Sequence, residues 1–210
     1  MIAPAAFLSR LRRATGGVAY IEFALGLPVF LTLILGGIET TNYTIAQLRT
    51  SQIAMSVADN AGRNPESVDE ADIYEVFAGV PAIGGSLDFE NNGRVVVSSL
   101  QDNGKTGSRK GQEIEWQRCY GDLDVDPAYG RQGAGANDDR LKDGMGAPSH
   151  RIAAGPGTAV IFVEATYEYQ PLFWDRVISN PIIRYESAFN VRDRTENAIT
   201  NTQNLTPLTC

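Results

Sequence analysis

The longest run of apolar residues lies near the N-terminus and extends from Val18 to Ile38. At a helical rise of about 1.5 Å per residue, roughly 20 apolar residues cross the hydrocarbon core of a bilayer. Beyond Ile38 the chain reads Glu39-Thr40-Thr41-Asn42-Tyr43, which lacks the small residues of a signal-peptidase site. We therefore predict a retained transmembrane helix over residues 18–40, called the stem below, instead of a cleaved secretory signal.

The residues that follow the stem alternate between polar and apolar with the period of a helix. Polar side chains recur at Arg49, Gln52, Ser56, Asn60 and Arg63, and the other faces carry Ile53, Ala54, Val57, Ala58 and Ala61. Ile45 falls on the polar side, so the pattern is imperfect. We predict an amphipathic helix over residues 41–63 that continues the stem and packs on a globular head. Asn64-Pro65 ends it, because a residue before proline is pushed out of helical geometry.

Residues 64–210 are predicted to form this head. Ser67 and Glu70 match a capping box and predict a short helix through about Phe77. Alternating apolar and polar positions then predict four strands, at Arg94–Leu100, Gly111–Arg118, Ala159–Tyr169 and Ile182–Arg192. The predicted fold class is α+β, with a long N-terminal helix followed by a small antiparallel sheet.

The same alternation predicts how the sheet is covered. Ile161 and Val163 share one side of their strand, whereas Glu164 and Glu168 lie on the other. We predict that helix covers the first side and that solvent covers the second. The segment Gly121–Pro156 is rich in glycine and aspartate and has almost no apolar residues, so we predict a mobile or loosely ordered surface excursion.

The distribution of charge limits the partners and sets the orientation in a membrane. Acidic residues number 25 and basic residues 18, giving a net charge of −7. This balance argues against a nucleic-acid partner, which requires clustered Lys and Arg. Arg10, Arg12 and Arg13 precede the stem, so the positive-inside rule predicts a cytoplasmic leader over residues 1–17. We expect a single-pass protein of the inner, cytoplasmic membrane with a periplasmic or extracellular head.

Two cysteines occur, Cys119 and Cys210, and both lie on the predicted translocated side. In an oxidising compartment two such thiols are expected to pair. The alternatives are two free thiols, or a link from Cys210 to a lipid or a partner.

The sequence predicts no catalytic residues, no cofactor and no defined metal site. Asp122, Asp124 and Asp126 match the first ligands of an EF-hand loop. Pro127 and Gly133 then occupy the positions that require glycine and glutamate, which excludes an EF-hand. A looser calcium site using Asp138, Asp139 or Asp143 stays open as an alternative to simple acidic solubilisation.

The order of residues around the start of the stem is distinctive. The segment Gly16-Gly17-Val18-Ala19-Tyr20-Ile21-Glu22-Phe23-Ala24-Leu25, with Pro28 a few residues on, resembles the TadE-like family. These are the minor pseudopilins of the tight-adherence (Flp) pilus system. The resemblance is specific over about residues 10–40 and loose over the head. It implies a pilin-like structural component and no enzymatic activity.

The resemblance also implies roles for single residues. A prepilin peptidase would cleave between Gly17 and Val18, since glycine gives the enzyme access to the backbone. Glu22 would pair with the freed amine of a neighbouring subunit, and Phe23 and Pro28 would belong to the same assembly surface. Pro28 would kink the helix. The implied partners are the lipid bilayer, other pilus subunits and assembly-platform proteins.

Three alternatives to this interpretation remain. Glu22 could be a side chain that reaches the bilayer interface without a partner, and Gly16-Gly17 could simply interrupt the helix. The whole chain could instead be a membrane-anchored periplasmic enzyme or ligand-binding module that is not processed and that uses residues 121–156. It could also be an unprocessed envelope protein with a signal anchor.

Overall fold

The structure of the protein, a computed structural model, describes residues 15–63, 67–173, 180–191 and 197–210. The three leader arginines, the predicted helix end at Asn64-Pro65 and the strand end at Arg192 lie outside the described residues. The chain divides into two compact units, one that ends at Asn42 and one that extends from Tyr43 to Cys210. The second is called the head unit below.

The predicted N-terminal helix is confirmed and is continuous. A 3-10 turn over Thr15–Gly17 leads into α1, which extends over 45 residues from Val18 to Gly62. Pro28 lies inside α1 and its carbonyl accepts a hydrogen bond of 2.8 Å from the Thr32 hydroxyl. The missing amide of Pro28 therefore does not end the helix.

The predicted α+β class and the antiparallel sheet are also confirmed. After α1 the elements are β1 (Val68–Asp69), α2 (Glu70–Ala78), α3 (Val80–Gly84), α4 (Phe89–Asn92), β2 (Gly93–Asp102), β3 (Gln112–Tyr120), β4 (Ala159–Glu168), β5 (Ile182–Asn190) and β6 (Ile199–Thr200). Strands β2 to β5 form a four-stranded antiparallel sheet in the order β3-β2-β4-β5. The short strands β1 and β6 pair in parallel.

One side of the sheet, called the helix face, packs against the second half of α1. Ala46, Ile53, Val57 and Ala61 recur at helical spacing and are all buried. They join a core cluster with Ile161, Val163 and Ala165 of β4, which lie two residues apart and therefore on one side of the strand. Large apolar side chains buried in this way each stabilise the fold by about 1.5–3 kcal/mol.

The other side of the sheet is called the loop face, and the prediction that solvent covers it was wrong for β4 but holds at β5, where Arg184 and Glu186 are exposed. A second core cluster covers it, formed by Leu100, Ile114, Leu141, Met145, Ala154, Val160 and Phe162. Leu141, Met145 and Ala154 belong to the connection between β3 and β4, residues 121–158, which we call the β3–β4 connection. Glu164, expected to be solvated, is only 3% exposed.

The prediction of a loose excursion was therefore also wrong. The amides of Gln112 and Ile114 in β3 donate to the carbonyls of Leu141 and Ala134, at 3.1 and 3.0 Å. A Cβ atom added to Gly135 would lie 2.1 Å from the Gln112 carbonyl oxygen, and one added to Gly144 would lie 2.1 Å from that of Ile152. Both glycines have φ near +84° to +94°, so they permit close approach and tight turns.

The capping box of α2 is real but uses other residues than the sequence suggested. Asp69 is the N-cap and accepts from the Ala71 amide at 3.1 Å, while Asp72 accepts from the Asp69 amide at 2.9 Å. Glu70 instead points into the head unit, where the Arg118 Nε donates to both of its carboxylate oxygens at 3.0 and 2.9 Å. Both side chains of this ion pair are at most 6% exposed.

The C-terminal segment is tied along the sheet edge formed by β3. Cys119 and Cys210 form a disulfide, and the Cys119 amide donates to the Leu208 carbonyl at 2.7 Å. The Tyr74 hydroxyl of α2 donates to the Thr206 carbonyl at 2.7 Å. The chain end is thus held by covalent and hydrogen bonds, and part of an edge strand is covered against pairing with other chains.

Candidate assembly stem

The predicted processing position lies in an open part of the chain. Gly16 and Gly17 end the 3-10 turn that precedes α1, and both are exposed. A Cβ atom added to either glycine would meet no atom within 4 Å. A peptidase could therefore reach the peptide bond between Gly17 and Val18 without displacing any described part of the chain.

The predicted assembly residues share the first turns of α1. Val18 and Glu22 are four residues apart, so their side chains lie on the same side of the helix. Val18 is 52% exposed and Phe23 66% exposed, and Glu22 is exposed as well. Among the described residues, no ion pair includes Glu22. The carboxylate is therefore available to a cation outside the described chain.

The apolar stem is exposed along its length, unlike the two core clusters of the head unit. In the described residues one helix, α1, is long and apolar enough to cross a membrane, and none of its most apolar window is buried. Gly26, Gly36 and Gly37 have open space at their Cβ positions. Small residues of this kind allow membrane helices to approach one another closely.

Within the head unit, α1 also exposes apolar side chains, of which only Ile45 stands out in the sequence pattern. Ile45, Leu48 and Met55 are 40%, 56% and 52% exposed. With Gln52 between them they follow spacings of three, four and three residues, the pattern of a helix seam. That spacing is the signal that could have identified them.

Four ionisable groups at the loop face form one connected cluster. Glu164 pairs with Arg184 and accepts from the Ala128 amide at 3.2 Å, and the Tyr129 hydroxyl donates to Glu186 at 2.8 Å. Burial raises the pKa of the Glu164 carboxyl, and the Arg184 guanidinium opposes this only in part. Burial, with the hydrogen bond to Glu186, raises the pKa of the Tyr129 phenol to about 12. These groups hold the β3–β4 connection on the sheet.

Two of the aspartates considered for calcium make other contacts. Asp126 pairs with Arg131 at 2.7 Å, and Asp138 accepts from the Arg140 amide at 2.9 Å. Within the described ranges, no group of three or more His, Cys, Asp or Glu side chains is arranged to hold a metal ion. The loose calcium site is therefore not supported.

A long helix with an exposed apolar first half, joined to an antiparallel α+β head unit, is consistent with a pilin-like protein and compatible with membrane anchoring. The TadE-like protein family model matches residues 17–59, which confirms the resemblance over the stem and most of the amphipathic extension. The similarity indicates a component associated with the tight-adherence pilus. No curated protein and no solved structure matches the chain significantly.

Proposed function

We propose that this protein is a minor pseudopilin-like component of a tight-adherence pilus, matured by a prepilin peptidase and acting through assembly. The observation that carries the proposal is the position of the family match. It begins at Gly17, where an exposed glycine pair precedes an exposed apolar helix with one carboxylate in its second turn. An exposed apolar helix in an otherwise well-packed chain requires lipid or other helices to cover it.

The proposed organisation follows the sequence pattern. Residues 1–17 are the cytoplasmic leader, 18–40 the transmembrane stem, 41–63 its amphipathic extension, and 64–210 the periplasmic or extracellular head. The arginines before the stem support this orientation, because short basic segments are retained in the cytoplasm. The partners are the bilayer of the inner membrane, the prepilin peptidase, other pilus subunits and the assembly platform.

The proposed mechanism of assembly is an ion pair between subunits. Cleavage after Gly17 creates a positive amine at Val18, on the same side of α1 as Glu22. A carboxylate in a membrane helix costs about 2.5–3.5 kcal/mol or more when unpaired. Pairing Glu22 with the amine of a neighbouring stem offsets the cost of both charges and fixes the axial register of the two helices.

The processing step is tested by replacing Gly17 with a bulky residue. Gly17→Leu should leave uncleaved precursor in the membrane, since the side chain blocks access to the scissile bond. Gly26→Leu is the matched control, because Gly26 is an exposed glycine with open space around it, as Gly17 is, but lies within the stem. Both variants are followed by mass spectrometry of the membrane fraction. Normal maturation of Gly17→Leu would contradict the proposed site.

A further inference from the structure

The two edges of the head-unit sheet differ in how they are covered. At β3, the amides of Cys119 and Ile114 donate to carbonyls of the C-terminal segment and of the β3–β4 connection, so the chain itself occupies that edge. At the opposite edge, β5 pairs with β4 and with no other described strand. An edge strand presents a row of N–H and C=O groups that can pair with a strand of another chain. We therefore consider β5 as an interaction surface.

Alternate residues of β5 direct their backbone groups away from β4. The Val191 amide donates to the Ala159 carbonyl at 2.9 Å. In an antiparallel ladder the hydrogen-bonded positions alternate, so odd-numbered residues of β5 bond to β4 and even-numbered residues face outward. In the middle of the strand the outward backbone groups belong to Arg184, Glu186 and Ala188. In the part of the chain that the structure describes, these groups have no hydrogen-bond partner.

The middle of β5 carries two opposite charges on one side and an aromatic ring on the other. Arg184 and Glu186 lie on the loop-face side, where Nη2 of Arg184 donates to Oε1 of Glu186 at 3.2 Å. The buried Glu164 also pairs with Arg184. Nε and Nη1 of Arg184 and Oε2 of Glu186 bond to no described residue. Tyr185 lies on the helix-face side and is 37% exposed.

A second copy of β5 fits this edge in one antiparallel register. When two copies pair about a two-fold axis through Tyr185, Arg184 of each copy lies opposite Glu186 of the other. Opposite charges in directly facing positions stabilise a strand pair, whereas like charges destabilise it. Moving the axis by one residue, to Arg184 or to Glu186, would place like charges opposite each other. The charges of β5 therefore complement those of a second copy and select the register.

We infer that β5 pairs antiparallel with β5 of a second copy of this protein, which joins two four-stranded sheets into one continuous sheet. Arg184 and Glu186 of one copy exchange backbone hydrogen bonds with Glu186 and Arg184 of the other. The two Tyr185 side chains meet at a non-hydrogen-bonded position, where facing side chains are closest. The inference goes beyond the proposed pilus role and does not depend on it, because all of these residues belong to the head unit.

Disulfide cross-linking of the purified full-length protein tests the pairing and its register. Tyr185→Cys places a cysteine on the proposed axis, where the two Cβ atoms would lie about 4.5–5.5 Å apart, close enough for a disulfide after a small adjustment. Ser187→Cys is the matched control on the same side of β5. In the proposed register it lies four residues from its counterpart, about 13–14 Å along the strand. Both variants keep the native Cys119–Cys210 disulfide.

The proteins are oxidised mildly with copper phenanthroline in detergent, with micelles in excess over protein, and dimers are measured on non-reducing gels. We expect several-fold more dimer from Tyr185→Cys than from Ser187→Cys. Equal amounts from the two variants would overturn the inference, because contact through any other surface gives no preference for position 185.

Two further variants, each combined with Tyr185→Cys, test the charges and the outward backbone. Glu186→Lys places a second positive charge opposite Arg184 and should reduce the dimer several-fold. Glu75→Lys makes the same change of charge at an exposed residue of α2 and should leave the dimer unchanged. Ala188→Pro removes an outward amide without removing a hydrogen bond to β4, and should also reduce the dimer. Circular dichroism verifies folding, and undiminished dimer in both Glu186→Lys and Ala188→Pro would refute pairing through β5.

Discussion

The stem and the head unit use apolar residues in opposite ways. The stem exposes nearly all of them, including Phe23 and Leu33 at 66% and 70%, and its helix has no core of its own. The head unit buries a cluster of apolar residues on each face of a sheet and even buries a charged pair, Glu70 and Arg118. The head unit therefore folds around cores of its own, whereas the stem has none. Damage to the first should appear as unfolding, and damage to the second as failed assembly.

The largest loss of stability is expected from breaking the buried ion pair. Arg118→Met leaves the Glu70 carboxylate buried without its partner and should lower the free energy of unfolding by about 3–5 kcal/mol. Urea unfolding of the full-length protein in detergent, followed by circular dichroism, measures this. Arg131→Met, which removes the exposed partner of Asp126, should cost less than about 1 kcal/mol. Adding Glu70→Leu to Arg118→Met should recover much of the loss, and no recovery would contradict this explanation.

Removal of the disulfide should have the next largest effect. The Cys119–Cys210 bond closes a loop with a sequence separation of 91 residues, and such bonds stabilise proteins by about 2–4 kcal/mol. The double variant Cys119→Ser/Cys210→Ser should lose this amount in urea unfolding. The C-terminal segment should also become sensitive to carboxypeptidase, because its covalent attachment is gone. Equal stability of the double variant and the oxidised wild type would count against the pairing.

Leu141→Ala tests whether the β3–β4 connection is a packed layer. Leu141 is 1% exposed in the loop-face cluster, so truncation should cost about 2–5 kcal/mol. Ile53→Ala removes a comparable side chain from the helix face and provides the reference value. The two losses should be similar. A loss below about 0.5 kcal/mol for Leu141→Ala alone would restore the loose surface excursion that the sequence suggested.

A smaller effect is expected from the pH dependence of Glu164. Because burial raises the folded-state pKa of this carboxyl above its ordinary value of 4.5, the folded protein holds the proton more tightly than the unfolded chain does. Its contribution to stability is present below that ordinary value and declines as the pH rises through the folded-state pKa. Glu164→Gln should remove this decline. The measurement is the difference in unfolding free energy between wild type and variant from pH 4 upward, and a difference constant with pH would refute the assignment.

Glu22→Gln should have the smallest effect on stability and a large effect on assembly. The side chain is exposed and pairs with no described residue, so unfolding of the head unit should change by less than about 0.5 kcal/mol. Recovery of the protein with its pilus partners, measured by cross-linking in membranes, should fall sharply. Leu33→Val, at an exposed stem residue outside the predicted assembly surface, serves as the control that keeps the charge. If the Glu22→Gln variant assembles normally, the Glu22 carboxylate does not fix the axial register of neighbouring stems.

Features of the fold that depend on residues close together in the sequence could be predicted, and features that depend on distant residues could not. Ile161, Val163 and Ala165 alternate with polar neighbours, so β4 and its helix face followed from periodicity. The packing of the β3–β4 connection on the loop face did not follow from periodicity. Leu141 and Met145 are isolated among glycines and charges. The Leu141 carbonyl accepts from the amide of Gln112 in β3, far earlier in the sequence, and Met145 exchanges two backbone hydrogen bonds with Ile152. Glycine was interpreted as mobility, whereas Gly135 and Gly144 permit close contact with neighbouring backbone.

The charged residues of the head unit show the same limit. Glu70 fits a capping box by spacing, yet its partner Arg118 is 48 residues away and draws it into the interior. Asp69 then supplies the cap, and its pKa is lowered chiefly by the Thr202 amide, a contact from the far end of the chain. At the stem, by contrast, the family match coincides with residues that the sequence also indicates, because a long apolar helix is specified by its own residues.

The most direct test of the central claim is the N-terminus of the protein recovered from bacterial membranes. Intact-mass measurement with N-terminal sequencing should show a chain that begins at Val18 in cells with the prepilin peptidase and retains Arg10, Arg12 and Arg13 in cells without it. A chain that keeps those arginines in both strains would contradict maturation, and with it the ion pair between Glu22 and a neighbouring amine.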